Sequence, residues 1–145
     1  MKTKNWSIMR IFYSVALAAL VALMVGCCPC RKGKNNLPLK GTEWHLMRMM
    51  GKDVTLGDDK FVFSFGEDGS FAGVGACNQF TGAYKSSDTR ALKFEDVATT
   101  RRMCPDVALE AEFSTILDRA THYEVDGNIL MILCNGEVQA ILMAK

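Results

Sequence analysis

Two dipeptides, Asp126-Gly127 and Asn135-Gly136, restrict this chain more than any other feature. They separate three segments rich in apolar residues, 121–125, 128–134 and 137–143. Asp-Gly and Asn-Gly favour the type I′ turn, in which both central residues take positive φ and two antiparallel strands are joined directly. The C-terminal segment therefore reads as a three-strand meander. On its middle strand Ile129, Met131 and Leu133 share one face, and Leu130 and Ile132 share the other. Both faces are apolar, so the pattern leaves open which one points inward. A helix covering one side would account for it.

The earlier part of the chain shows the same strand character. Residues 41–50 alternate imperfectly around Trp44 and Leu46. Phe61, Phe63 and Phe65 recur with a period of two, which puts three rings on one face. Gly66–Gly69 turns the chain and residues 70–75 return. A loop of two or four residues would place Ala72 and Val74 on the phenylalanine face, with small side chains opposite large rings. Gly73 and Gly75 suggest a bulge or tight curvature. One helix is expected over 107–120, opened by Pro105 and Asp106. Leu109, Phe113, Ile116, Leu117 and Ala120 recur at helical spacing, and Glu110, Glu112, Asp118 and Arg119 take much of the other side. Strands, one helix and then a meander define an α+β fold, mainly a curved antiparallel sheet or partial barrel with one main amphipathic helix.

The first 26 residues have a different character. Lys2, Lys4 and Arg10 precede an apolar run, Ile11 to Gly26, that is 16 residues long. A positive start, a short apolar stretch and small residues at its end describe an export signal. A spanning helix needs about 20 apolar residues, so the run is short for one. It ends Leu23-Met24-Val25-Gly26-Cys27, which resembles the bacterial lipobox. The resemblance implies cleavage before Cys27, a thioether-linked diacylglycerol and an N-acyl chain such as palmitate on that residue, and attachment to a membrane through the lipid. Cys28, rather than Asp, follows, which by enterobacterial sorting implies the outer membrane. Residues 27–38 read as a flexible tether, and 39–145 as one domain.

Charge narrows the partners. The leader removes three of seventeen basic residues and no acid, leaving fourteen against sixteen acidic residues, a net of −2. A phosphate backbone calls for a clustered basic excess, so nucleic acid is not an expected partner.

Four segments together resemble the META domain family, that of HslJ-like heat-inducible lipoproteins, across about residues 37–144. They are Leu39-x-Gly41-Thr42-x-Trp44-x-Leu46, Gly75-Ala76-Cys77-Asn78-Gln79-Phe80-Thr81-Gly82-x-Tyr84, Thr100-Arg101-Arg102-Met103-Cys104-Pro105 and Glu110-x-x-Phe113-x-x-x-Leu117. The Cys-Asn-x-Phe-x-Gly piece is the most specific. Ala76 and Arg102 depart from the family pattern, the latter standing where Met is usual. The resemblance implies a small envelope protein linked to stress tolerance, and it supplies no catalytic residues. It also places Cys77 and Cys104 in two shared segments, and in an oxidising compartment they are expected to form a disulfide.

No other constellation carries chemistry. Cys28-Pro29-Cys30 is half of a tetrahedral zinc set, so no metal is expected. His45 and His122 are the only histidines, and no nucleophile elbow or His-Glu-x-x-His motif exists. The chain is read as a non-enzyme without a cofactor. Asn78 reads as a turn residue, and Arg101 and Arg102 as solvated. The expected role is a monomeric binding domain in the cell envelope with a protein partner. The alternative is a small-ligand barrel with an interior cavity of about 300 Å³ or more.

Overall fold

The computed structural model describes residues 35–145. The leader, Cys27 and the tether up to residue 34 lie outside them. Among the described residues nine strands and one helix follow in order: β1 Glu43–Met49, β2 Lys52–Asp53, β3 Val62–Phe65, β4 Ser70–Val74, β5 Gln79–Ser86, β6 Leu92–Thr99, α1 Val107–Arg119, β7 His122–Asp126, β8 Ile129–Cys134 and β9 Glu137–Ala144. Each pairing is antiparallel. The sheet runs β6-β5-β4-β3-β1-β9-β8-β7, with β2 added beside β1. This is the α+β architecture expected.

The sheet curls but does not close. Its two end strands touch at one bridge, between Ala91 and His122. The Leu92 and Tyr123 amides support it by donating to the Thr121 and Arg90 carbonyls, each at 2.9 Å. The segment linking β6 to β7 is α1, which packs mainly on β6.

Aromatic rings fill the space between sheet and helix. Trp44, Phe61, Phe63, Phe65, Phe71, Phe80 and Phe113 are each at most 1 % exposed. Phe113 brings the helix into this stack, with its ring 4.5 Å from Phe63 and edge-on to Phe61 and Phe80 at 6.0 Å. Burying one such ring contributes about 1.5–3 kcal/mol. The Asp106 side chain makes no cap hydrogen bond at the helix start, an interaction worth about 1 kcal/mol where present. Packing, not capping, therefore holds α1 in place.

The meander faces inward through Leu130, Ile132, Ala140 and Leu142. Ile129, Met131 and Leu133 point outward. The helix lies on the inner side, so among the described elements it does not cover that second apolar face. The last turn has positive φ at both Asn135 (53°) and Gly136 (88°), as type I′ requires. The turn before it differs from expectation. Asp126 pairs with Ile129, so the loop is Gly127-Asn128, and of these two Gly127 alone has positive φ (60°). That is the type II′ pattern, with glycine at the first central position.

The β3–β4 hairpin also corrects the reading. Its pairs are Phe65 with Phe71, Phe63 with Gly73, Ser64 with Ala72 and Val62 with Val74. Ala72 and Val74 therefore lie on the outer face. The cause is a loop of odd length, Glu67-Asp68-Gly69. Gly69 has φ +85° and Asp68 Oδ1 accepts from the Ser70 amide at 3.0 Å. One residue more or fewer moves every side chain to the opposite face. The small residue opposite Phe63 is Gly73. A Cβ there would lie 2.3 Å from Phe63 Cδ1 and 2.4 Å from the Val62 carbonyl oxygen. That glycine makes room for the ring and marks no bulge. One irregularity lies between β5 and β6, where Asp96 has φ 52° and Gly82 lets Val97 approach, and the register also shifts between Leu46 and Arg48 on β1 and between Ile132 and Leu133 on β8.

Gly73→Ala should destabilise the domain by about 2–3 kcal/mol through overpacking. Urea unfolding followed by tryptophan fluorescence checks this. Wild-type stability in the variant would contradict the packing described.

Candidate functional site

The helical spacing of Glu110, Phe113 and Leu117 puts all three on one side of α1. Glu110 is consequently 5 % exposed, not on the solvent side where sequence pattern placed it. Its carboxylate is enclosed by the loop after β4. Oε1 accepts the backbone amides of Cys77 and Asn78, both at 2.8 Å, and Oε2 accepts Asn78 Nδ2 at 2.5 Å. Gly75 permits this approach, because a Cβ there would lie 2.6 Å from Oε1.

Asn78, 3 % exposed, relays the cluster to the segment after β6. Its Nδ2 also donates to the Arg102 carbonyl at 3.0 Å. Its Oδ1 accepts the Thr100 hydroxyl at 2.8 Å and the Arg102 amide at 2.7 Å. Thr100 Oγ1 in turn accepts the Gln79 amide at 3.1 Å. Two donors and two acceptors exhaust what an amide side chain offers. Asn78 has no positive φ. It closes the four-residue turn between β4 and β5, where its carbonyl accepts the Gly75 amide at 2.7 Å, and its side chain ties that turn to α1 and to the segment after β6. A disulfide joins Cys77 to Cys104 across the same junction, with their Cα atoms 6.4 Å apart.

Burial is the largest single influence on Glu110 and pushes its pKa up. The hydrogen bonds from the Cys77 amide, the Asn78 side chain and the Asn78 amide together outweigh it, so the carboxyl is held below its ordinary value. The group stays ionised and its lone pairs are committed, which leaves little for proton transfer. An open groove of about 510 Å³ lies beside the cluster, edged by Arg101, Met103, Val107, Ala111 and Ser114.

The other motif residues divide in two. Phe80 packs beneath the cluster, edge-on to Phe63 at 5.5 Å, and Pro105 precedes α1. Gly41, Thr42 and Trp44 do not join it. They tie down the chain's entry: Gly41 has φ +72° and donates to Phe65 O, Thr42 Oγ1 donates to Pro38 O at 2.7 Å, and Trp44 Nε1 donates to Leu39 O at 3.1 Å. Arg101 and Arg102 are exposed. Arg102 serves the cluster through its main chain alone, which explains how this position accepts a departure from Met. His45 bonds Glu43 at 3.2 Å, and the buried thiol of Cys134 is pushed up by burial. Among the described residues no group of three His, Cys, Asp or Glu side chains is placed to hold a metal ion.

Three of the four shared segments converge on this cluster, and the sequence model of the META domain matches residues 37–145. The chain belongs to the META domain family. No curated protein matches it in sequence. Three solved structures resemble this META domain. One, a protein solved by NMR, is 26 % identical with TM-score 0.59, over 70 % of this chain and 87 % of that one. An NMR structure from Burkholderia xenovorans is 17 % identical with TM-score 0.61, over 74 % and 83 %. A crystal structure of a DUF4847 family protein from Bacteroides vulgatus is 18 % identical with TM-score 0.58, over 73 % and 93 %.

Two outcomes follow for this META domain. Replacing both Cys77 and Cys104 by serine should cost about 3–4 kcal/mol in urea unfolding, as expected for a 27-residue loop; labelling of both thiols in the native wild type would contradict the bond. Glu110→Gln should cost about 2–3 kcal/mol at neutral pH, because a buried acceptor of three N–H groups loses its charge. Since folding lowers the Glu110 pKa, its contribution is complete above the ordinary value of 4.5 and is lost as pH falls through the lower folded value. The stability gap between wild type and Glu110→Gln should therefore close below about pH 4.5; a gap unchanged down to pH 2 would contradict this.

Proposed function

We propose that this META domain is a lipid-anchored protein of the bacterial cell envelope, held at the outer membrane through Cys27, that acts by binding and not by catalysis. The observation carrying the binding reading is the inward saturation of its motif. Glu110, Asn78 and Thr100 spend their hydrogen-bonding capacity on one another and on local backbone. A catalytic group must meet substrate, whereas these groups build a rigid body whose surface is left to recognise a partner. A role in stress tolerance is what the family resemblance implies, with an envelope protein as partner.

The anchoring part rests on the leader and on Val25-Gly26-Cys27 at its end. Among the described residues no helix is long and apolar enough to cross a bilayer. The small-ligand alternative needs interior room, and the stacked rings of Phe63, Phe71, Phe80 and Phe113 occupy that space.

Mass spectrometry of the product from producing cells tests the anchor. The expected N-terminus is Cys27 carrying diacylglycerol and an N-acyl chain. Cys27→Ser should leave the leader uncut and abolish palmitate labelling. A wild-type product that keeps residues 1–26, or that carries no fatty acid, would overturn the proposal.

A further inference from the structure

The outer face of the meander is apolar, and its ladder arranges charge around the apolar centre in a specific way. Ile129 pairs with Met143, Met131 with Ile141 and Leu133 with Val138, which makes three outward-facing apolar pairs on β8 and β9. Ile129 and Val138 are 37 % and 44 % exposed. A contiguous apolar patch on a soluble face marks a contact surface.

The flanking strands carry opposite charges in the same rows. Glu124 of β7 pairs with Met131, and Arg48 of β1 pairs with Ile141. One row therefore reads Glu124, Met131, Ile141, Arg48: acid, apolar, apolar, base. The neighbouring row reads Asp126, Ile129, Met143, His45. A row with this order is complementary to itself when reversed. If a second copy packs face to face about a two-fold axis that runs along the strands between β8 and β9, strand order is inverted and height is kept. Met131 then meets Ile141, and Glu124 of one copy meets Arg48 of the other, twice per dimer. A two-fold axis across the strands would instead set Glu124 of one copy against Asp126 of the other, acid against acid. The Arg48 side chain is half exposed and uses Nε on Asp53 at 2.8 Å, so the remaining guanidinium donors are free of that bond.

We propose that this META domain self-associates through the outer β8–β9 face, as a two-fold dimer registered by reciprocal Glu124–Arg48 pairs. This departs from the monomer expected from sequence. A closed isologous contact uses one patch twice, which is what a self-complementary row provides. The apolar pairs supply attraction, and the flanking charges set orientation and exclude sliding.

The test uses cysteine pairs in the full chain, with Cys28 and Cys30 replaced by serine. Within one copy, positions 48 and 124 are separated by two intervening strands, too far for a disulfide. Membranes are prepared from cells making Glu124→Cys alone, Arg48→Cys alone, or both chains together, and are treated with a short bis-maleimide spanning about 10 Å, the separation of packed sheets. In the mixed pair the two cysteines meet at one site, and native Arg48 meets native Glu124 at the other. The expected result is a cross-linked dimer at least about tenfold more abundant in the mixed sample than in either single one, since a linker spanning about 10 Å joins only cysteines that face each other across packed sheets. A tryptic peptide should link positions 48 and 124. Equal cross-linking in all three samples, no cross-linking in any, or linkage to a different protein would each overturn the proposal. Both positions are exposed, and far-UV circular dichroism confirms that the variants fold.

Discussion

A single buried carboxylate organises this fold. Glu110 brings charge into an apolar interior, which is costly unless the charge is fully hydrogen-bonded. Three N–H donors from Cys77 and Asn78 meet it, and these groups exist in place only if the loop after β4 takes one conformation. That conformation aims Asn78 at the segment after β6, whose Thr100 and Arg102 complete the amide. The helix, the middle of the sheet and the sheet's edge strand are thus registered by one polar cluster. The Cys77–Cys104 bond closes the same junction covalently. Apolar packing supplies most of the stability, but packing alone tolerates sliding, whereas a satisfied polar network does not.

The helix completes what the strands leave unfinished. An antiparallel sheet that curls without closing exposes two edges, and free edges invite unwanted pairing. Here the ends touch at Ala91 and His122, and α1 lies along β6 where no strand follows. Phe113 anchors it inside the curl. The weak start at Asp106 is then understandable, since the helix is fixed from its buried face.

The parts of the structure legible in the sequence were those governed by local chemistry. The strand character of Phe63 and Phe65, the helix around Phe113, the Asn135-Gly136 turn and the general architecture all follow from periodicity and turn preference. What was illegible depended on parity. The loop Glu67-Asp68-Gly69 has three residues where two or four were expected, and so Phe71 and Gly73 replaced Ala72 and Val74 opposite the rings. The turn at Gly127 differs in another way: expected and found loops both have two residues, so displacement by one residue changes partners and turn type but no face. Strand β6 hides behind a bulge at Asp96 that breaks its alternation. The burial of Glu110 did have a signal: its spacing of three and seven to Phe113 and Leu117 matches the apolar face. Charge alone argued for the surface, and no local pattern reveals that the Cys77 and Asn78 amides await it.

The chain's entry into the folded body carries a mechanical meaning. Asn36 donates to the Val125 carbonyl and accepts from the Gly127 amide, both at 2.8 Å, and the Leu37 amide reaches the Gly127 carbonyl at 2.9 Å. Residues assigned to the tether are thereby fastened to the hairpin tip between β7 and β8. A pull from the N-terminal side is borne first by these three bonds at the rim and only afterwards by Gly41, Thr42 and Trp44. Tension applied at Asn36 peels a small clasp before it reaches the long central strand, so the interior is buffered from it.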